Sequence, residues 1–380
     1  MSATRGFAQG EHRARVARAQ AGMQAEGLGA LLLTTEPDMR YFTGFLTRFW
    51  ESPSRPWFLV LPARGDPVAV IPAIGAALMA TTWVRDIRTW AAPDLVDDGV
   101  SLLADALREI GGPVGVPSHM ETHLRMPLAD FERLKQASGV GFTDDRGIVA
   151  GCRAIKSEAE IAKIARSCAI AGRAFARLDE IAAPGVALSR VFRDFQRLLL
   201  EEGADWVPYL AGGAGPQGYA DVISPASDVP LAREDVLMLD TGAVWDGYFC
   251  DFDRNVAIGQ STAAQRAAHA RLTEAVHAGL EAARPGARAC DLWRVMADVL
   301  GVDERAGRLG HGLGMQLTEG LSLTAQNQTP LCAGMVITLE PGLETAPGRI
   351  MVHEENIVVA HGAPRVLSPL SDPALPVIGK

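Results

Sequence analysis

The sequence predicts a two-domain protein of the α/β (α+β) class. Its 380 residues are long for one domain, because single domains typically have roughly 100–200 residues. Near Gly151, alternating strand and helix patterns give way to a long helical pattern. After this change, an order of two helices and two strands occurs twice, which indicates a pseudo-symmetric core. We therefore expect one domain at residues 1–150 and a second at residues 151–380.

Strand and helix patterns alternate in the first of these domains. Residues 29–35 (GALLLTT) and 58–72 (FLVLPARGDPVAVIP) are apolar runs bounded by Gly, Pro and Asp, which is typical of strands. Residues 12–29 and 101–112 carry apolar side chains at helical spacing and end on glycine. This alternation predicts an α/β unit.

The second domain is expected to begin on a capped helix. Ser157 and Glu160 form a capping-box pattern, and Thr262 with Gln265 repeats it before a later helix. One predicted strand pair surrounds Asp240, and the other spans 334–360. The sequence predicts helices at 158–175, 188–203, 263–283 and 290–301. The glycine-rich residues 211–218 (AGGAGPQG) lack the lysine of a phosphate-binding loop, and we expect a flexible loop there.

Composition excludes several classes of function. The formal net charge is −9, which gives no attraction to nucleic acid or anionic lipid. No run approaches the roughly 18 apolar residues of a membrane helix, and the N-terminal segment lacks the apolar core of a signal peptide. The five cysteines contain no CxxC pair, which favours reduced thiols. We expect a cytoplasmic protein without nucleic-acid or membrane partners.

An acid at the end of a buried strand suggests a site. Asp240 follows the apolar run 236–239, where an unpartnered charge is costly. If the hairpin turns between Trp245 and Asp246, then Asp240 lies directly opposite Asp251, with Cβ atoms roughly 5 Å apart. Two carboxylates this close repel each other unless a cation lies between them. Taken alone, an aspartate after a strand is more often a turn or cap residue.

A second hairpin repeats the arrangement. A turn at Pro347–Gly348 would place Glu340 opposite Glu355. His311, within a glycine-rich segment, is a candidate fifth ligand. Such oxygen-rich sites suit manganese, cobalt, iron or zinc, and five ligands suggest two ions. Two matched acid pairs therefore favour a metal site over a solvated hairpin edge.

The motifs around these residues resemble one family over nearly the whole chain. Residues 39–45 (MRYFTGF) and 155–161 (IKSEAEI) are similar to segments of the creatinase, prolidase and aminopeptidase P family, whose catalytic domain has the pita-bread fold. Its N-terminal domain is the creatinase-like α/β domain. The family's five metal ligands match Asp240 in DTG, Asp251 in GYFCD, His311 in HGLG, Glu340 in LEPG and Glu355 in EEN.

The resemblance implies a mechanism. Two divalent ions per chain, manganese first among them, would be bound by Asp240 on one side and by His311 and Glu340 on the other. Asp251 and Glu355 would bridge the ions. A metal-bound hydroxide would cleave a C–N bond, with Glu340 as a proton shuttle. The implied activity is that of an Xaa-Pro aminopeptidase or dipeptidase, acting on a short peptide or small molecule as a homodimer.

Some positions depart from the family pattern. Ile223 and Thr318 stand where prolidase-like enzymes have substrate-facing histidines, and His353 stands in place of an arginine. We expect Thr318 to bind substrate as a weak donor and His353 to be catalytic. Asp253 replaces a threonine and is either a further acid of the site or an ion-pair partner. Trp50 is a candidate substrate-binding wall, or an ordinary surface aromatic.

The altered positions leave other functions open. One alternative is a hydrolase or lyase of a small non-peptide metabolite, as creatinase, ectoine hydrolase and a dimethylsulfoniopropionate lyase have on this fold. Another is a non-catalytic binding protein, although such relatives tend to lose metal ligands. The fold alone does not choose among them.

Overall fold

The computed structural model describes residues 3–51 and 55–379. Backbone contacts divide the chain into two compact units. One consists of Arg5–Arg153, and the other of Ala154–Lys380 together with Met1–Thr4.

The first unit is built on a mixed six-stranded sheet with the strand order β4-β3-β2-β1-β5-β6. The strands are β1 (Ala30–Leu33), β2 (Phe58–Pro62), β3 (Val68–Pro72), β4 (Asp86–Trp90), β5 (Val114–Val116) and β6 (Phe142–Asp144). The helices are α1 (Gln9–Glu26), α2 (Glu36–Thr43), α3 (Ala76–Met79), α4 (Val100–Ile110), α5 (Leu128–Ser138) and α6 (Ile148–Ala154). Short 3-10 turns occupy Phe49–Glu51 and Ala73–Gly75.

The predicted patterns of this unit appear as regular elements. The run 58–72 forms two antiparallel strands, β2 and β3, because its Arg-Gly-Asp segment turns the chain. The helix α1 ends at Gly27, whose φ of 68° is left-handed and costs glycine little. Apolar residues of α4 pack on β2, β3 and β5 to form the core of the unit. The first unit is therefore the expected α/β domain.

The second unit contains two helix pairs and three sheets. Its helices are α7 (Glu158–Phe175), α8 (Leu188–Glu201), α9 (Ala263–Ala282) and α10 (Ala289–Leu300). Its strands are β7 (Trp206–Gly215), β8 (Val236–Trp245), β9 (Tyr248–Phe249), β10 (Phe252–Ile258), β11 (Gly310–Gly312), β12 (Val336–Leu339), β13 (Gly342–Ala346), β14 (Arg349–Val352), β15 (Glu355–Val358), β16 (Arg365–Val366) and β17 (Val377–Ile378). Leu178–Glu180 and Glu304–Ala306 are 3-10 turns.

The helices of this unit begin where their caps predict. The side chain of Ser157 accepts from the backbone of Glu160 and completes a capping box at α7. Thr262 and Gln265 do the same at α9. The strands form a sheet of order β17-β10-β8-β7 with β9 paired to β8, a second of order β11-β12-β15-β16, and the hairpin β13-β14. The α-α-β-β order predicted from the sequence is present twice.

The prediction of a flexible loop at residues 211–218 is wrong. Most of that segment belongs to β7, which pairs with β8 as far as Gly215. Glycine is needed because a Cβ on Gly212 would lie 2.3 Å from the carbonyl oxygen of Met238. Its glycines therefore allow two strands to approach each other closely, which composition alone does not distinguish from flexibility.

Within residues 3–51 and 55–379, no helix combines the length and the apolar character needed to cross a bilayer.

Candidate metal centre

The first acid-bearing hairpin turns at Asp246–Gly247. Both residues have left-handed φ values, 47° and 78°, as a two-residue type I′ turn requires. Trp245 consequently pairs with Tyr248. The centre of the hairpin lies one residue further along the chain than the sequence analysis assumed.

This shift changes the residue that faces Asp240. Its backbone partner on β10 is Asp253, so the prediction that Asp251 lies directly opposite is wrong. Asp251 lies two residues before Asp253, in the break between β9 and β10. Diagonal neighbours remain within reach across a strand pair, and ligand oxygens of Asp240 and Asp251 do approach each other.

A β-bulge shifts the second hairpin. Glu344 pairs with Ile350 and Ala346 pairs with Arg349, so Thr345 is an extra residue that has no register partner on β14. A bulge of this kind offsets the register by one residue on one strand. Every pair beyond the bulge is therefore displaced by one position from the pairing counted outward from the turn.

The displacement decides which glutamate reaches the acids. Leu339 on β12 pairs with Glu355, and the side chain of Glu354 joins Asp240 and Asp251. Because successive residues point in opposite directions in extended backbone, Glu355 faces away from them. Glu354, and not the predicted Glu355, therefore joins the two aspartates, and metal binding by either glutamate stays a prediction.

Three buried carboxylates form the centre of the site. Asp240, Asp251 and Glu354 each contribute one ligand oxygen, and these oxygens all lie within 4.8 Å of one another. Asp240 comes from the end of the apolar run of β8, Asp251 from the β9–β10 break, and Glu354 from the β14–β15 break. The two hairpins therefore supply acids to a common point.

His311 and Glu340 adjoin these carboxylates. The Nε2 atom of His311 lies 3.0 Å from Oδ2 of Asp251 and 3.3 Å from Oε2 of Glu340. Nδ1 of His311 lies 2.9 Å from the carbonyl oxygen of Gly312. Since a carbonyl can only accept, Nδ1 carries a proton, and this contact directs Nε2 at the acids. All four acids and the histidine thus form one constellation.

The electrostatics of this constellation call for a cation. Burial raises the pKa values of Asp240, Asp251 and Glu354 well above the usual range, and neighbouring carboxylates raise them further, while Arg308 opposes the shift at Asp251. Burial also raises the pKa of Glu340, although nearby His311 opposes this. Such groups ionise only when a positive charge compensates them.

Unsatisfied oxygens point to the same conclusion. Among the described residues, Oδ1 of Asp240, Oε2 of Glu340 and Oε2 of Glu354 are buried and have no hydrogen-bond donor. Buried polar atoms without partners are rare in native proteins, and they indicate a position that binds water or an ion. A donor set of four carboxylates and one imidazole fits manganese, cobalt, iron or zinc. The residues present therefore fit the divalent ions that the sequence predicted.

A second group of charges lies on the opposite side of β15. Arg254 donates a 3.0 Å hydrogen bond to Glu355, and Ser368 donates to the same carboxylate. Burial alone would raise the pKa of Glu355, but contacts with His353, Arg254 and Ser368 together lower it. Glu355 is therefore a paired structural acid.

His353 belongs to this paired group. Its Nδ1 lies 3.5 Å from Asp253 and its Nε2 lies 3.4 Å from Glu355. Burial alone would lower the pKa of His353, but these two acids raise it. The residue is fully buried. These contacts favour a structural role, and the catalytic role of His353 stays a prediction.

The predicted substrate-binding residues lie in different surroundings. Thr318 is half-buried, and its neighbour Leu317 packs so closely on Gly242 that a Cβ there would lie 2.4 Å from the leucine. The segment that contains Thr318 therefore packs against the DTG motif. Trp50 is buried within the first unit, with its ring centroid 5.7 Å from that of Trp57. The roles of Thr318 and Trp50 stay predictions.

Two residues near the acids were missed by sequence reasoning. The phenol of Tyr209 hydrogen-bonds Asp240, and burial together with that carboxylate raises its pKa. Arg308 lies 3.7 Å from Glu340 and is 35% exposed. Arg308 could have been suspected because it stands three residues before His311. Tyr209 could not, since its position depends on the unpredicted strand β7.

Comparison with known proteins agrees with this geometry. The family model described as metallopeptidase family M24 matches residues 162–361, and that of the creatinase/prolidase N-terminal domain matches residues 15–155. The chain therefore belongs to metallopeptidase family M24, and it is a metal-dependent hydrolase of the prolidase-like kind. The predicted family and pita-bread fold are confirmed.

Individual relatives are similar over most of their length. A probable dipeptidase, PepE, of Mycobacterium tuberculosis is 31% identical over 354 residues, 91% of each chain. The Xaa-Pro dipeptidase of Pyrococcus horikoshii is 28% identical, over 63% of this chain and 70% of the relative. The crystal structure of dipeptidase PepE from Mycobacterium ulcerans superposes with a TM-score of 0.84 at 28% identity, covering 98% of this chain and 99% of that one.

Proposed function

We propose that this protein is a dinuclear-metal-dependent Xaa-Pro dipeptidase or aminopeptidase. The observation that carries the proposal is the convergence of four acids and one histidine on a buried point, with three carboxylate oxygens lacking any donor among the described residues. The relatives named as dipeptidases support the substrate class. Manganese is the first candidate ion, with cobalt, iron or zinc as others.

The proposed ligands are Asp240, Asp251, His311, Glu340 and Glu354. Two divalent ions bound there would polarise a substrate carbonyl and supply hydroxide near neutral pH. The carboxylates are already directed at one another by the two hairpins, so the chain provides a preorganised site. Its hydrogen bond to Gly312 keeps the His311 ring in the orientation that presents Nε2.

Glu340 is suited to move the proton. It is the most accessible of the four acids, with a side chain that is 24% exposed where that of Asp251 is 5% exposed. Its carboxylate would take the proton of the attacking water and deliver it to the leaving nitrogen as the C–N bond breaks. Tyr209 holds Asp240 by its hydrogen bond. Burial of the other acids excludes water from their charges.

One experiment tests the peptidase proposal. Manganese-loaded protein is assayed on a panel of Xaa-Pro dipeptides and tripeptides, with Asp251→Ala as the blank. Turnover that disappears in the variant supports the proposal. Absence of turnover by protein that holds two ions per chain would overturn it.

A second candidate is hydrolysis or lysis of a small non-peptide metabolite. It is favoured by Ile223, which is 78% exposed and replaces a family histidine with an apolar side chain, and by Thr318 in place of another. The same assay with small amides, cyclic amidines and guanidino compounds distinguishes the two. A non-catalytic binding protein would fail to bind manganese tightly in a calorimetric titration. The homodimer and the cytoplasmic location stay predictions.

A further inference from the structure

Two of the proposed ligands lie where the sheets do not hold them. Asp251 occupies the break between β9 and β10, and Glu354 occupies the break between β14 and β15. Backbone in a sheet is fixed by its ladder of hydrogen bonds. In these breaks the ladder is interrupted, so the positions of both acids need another source of order.

Each acid is held by a side chain from the other segment. The backbone N–H of Asp251 donates to Oδ1 of Asn356 at 2.9 Å. The backbone N–H of Glu354 donates to Oδ1 of Asp253 at 2.7 Å. The relation is reciprocal: Asp253 stands two residues after Asp251 and binds Glu354, while Asn356 stands two residues after Glu354 and binds Asp251.

Both clamping side chains are themselves fixed. Asn356 also donates from Nδ2 to the carbonyl oxygen of Asp251 at 2.5 Å and to Thr338 at 3.0 Å. Asp253 accepts a 2.9 Å hydrogen bond from Asn255 on its other oxygen. Neither Asp253 nor Asn356 has exposed surface. The side-chain amide of Asn356 therefore binds both the backbone N–H and the backbone carbonyl of Asp251.

We propose that Asp253 and Asn356 are positioning residues that set the separation of Asp251 and Glu354, and with it the affinity for the ions that these acids would bind. The proposal rests on the metal centre of the proposed function. Asp253 stands where the family usually has threonine. In this proposal its side chain binds the backbone of the ligand Glu354 and does not contact the substrate.

Manganese binding tests the proposal without any substrate. Protein stripped with chelator is titrated calorimetrically with manganese chloride alone, and electron paramagnetic resonance of the loaded protein reports coupling between the ions. Asn356→Ala and Asp253→Ala are expected to weaken binding by about 10- to 100-fold, as loss of a group that orients a ligand typically does, and to reduce the coupling. Asp253→Asn keeps an acceptor oxygen and is expected to weaken binding less than Asp253→Ala.

A buried control separates positioning from stability. Ser167 donates to the carbonyl of Tyr248 and accepts from the backbone of Trp245 within the same unit. Ser167→Ala should lower the unfolding temperature and leave manganese affinity unchanged. Alanine variants of Asp253 and Asn356 that bind manganese like the wild type would overturn the proposal, however unstable they are.

The proposal stays testable if a variant does not fold or if the wild type binds no manganese. If Asn356→Ala does not fold, the comparison of Asp253→Ala with Asp253→Asn decides, and equal affinities for these two would overturn the clamp at Asp253. If the wild-type protein binds no manganese, the metal centre itself fails and the clamps fail with it. If the wild type binds manganese and the variants match it, only the clamps fail.

Discussion

Two adjacent glutamates in this protein lie in opposite chemical environments. Glu354 faces Asp240 and Asp251, where one of its oxygens has no donor among the described residues and burial raises its pKa. Glu355 faces Arg254 and His353, and its contacts there lower its pKa. The comparison teaches that burial of an acid does not by itself indicate function. A buried carboxylate without a positive partner does indicate function, because it ionises only when a cation binds, whereas a paired carboxylate stabilises the fold.

Neutralising Glu354 should have a far larger effect on function than neutralising Glu355. Changing a residue that merely orients a metal ligand costs about 10- to 100-fold, so loss of a ligand should exceed that range. We expect Glu354→Gln to lose more than about 100-fold in hydrolysis of Xaa-Pro peptides and to lose bound manganese. Steady-state kinetics and metal analysis of the purified variant measure both.

Glu355→Gln is the matched control for that variant, since it makes the same chemical change one residue away. It should retain two ions per chain. Equal loss of metal in both variants would contradict the assignment of Glu354 as the ligand and Glu355 as a structural acid.

The next effect concerns stability rather than binding. Glu355→Gln removes the negative partner of the largely buried Arg254, and breaking a buried ion pair costs about 3–5 kcal/mol. We expect a loss near 3 kcal/mol, because Arg254 keeps the carbonyl groups of Asp253, Glu354 and Pro369 as acceptors. Urea denaturation of the metal-free protein measures it. Unchanged stability would show that the pair is not an important contribution to the fold.

The acid cluster should also give the metal-free protein a characteristic pH dependence. The pKa values of Asp240, Asp251 and Glu354 are raised in the folded state, so between about pH 4, where unfolded carboxylates titrate, and the raised values the folded state binds more protons. The free energy of unfolding should therefore fall as pH rises through this window.

Denaturation of chelator-treated protein between pH 5.5 and 8 checks the sign. Asp251→Asn removes one raised group and should flatten the slope. Manganese binding, which requires ionised acids, should become tighter over the same interval. A slope identical in the wild type and in Asp251→Asn would argue against the raised pKa of this carboxyl.

The smallest expected effect lies entirely on the paired side. Ser368 donates to Glu355 and accepts a 2.9 Å hydrogen bond from the backbone of Asn356. Ser368→Ala should cost about 1 kcal/mol, the usual net contribution of one hydrogen bond, and manganese stoichiometry should not change. Thermal unfolding with and without manganese tests this, and loss of an ion would mean that the paired side and the acid side are not separable.

The candidate site was predictable in composition and less so in geometry. Four of the five proposed ligands, Asp240, Asp251, His311 and Glu340, were named from the sequence, and all four lie in the constellation. Counting failed because it placed the first turn one residue too early and did not include the β-bulge of the second hairpin. Nothing in the sequence around Thr345 indicates a bulge. The bulge nevertheless brings Glu354 to the site and turns Glu355 away from it.

The family, the helix starts and the residue types of the site could be predicted from the amino-acid sequence. Caps at Ser157 and Thr262 are local hydrogen bonds within one turn, and residue types that bind hard cations are recognisable one by one. The partner that each acid faces depends on the tertiary structure. Strand register and bulges arise from pairing between segments distant in the chain, and a shift of one residue reverses the face on which every side chain lies.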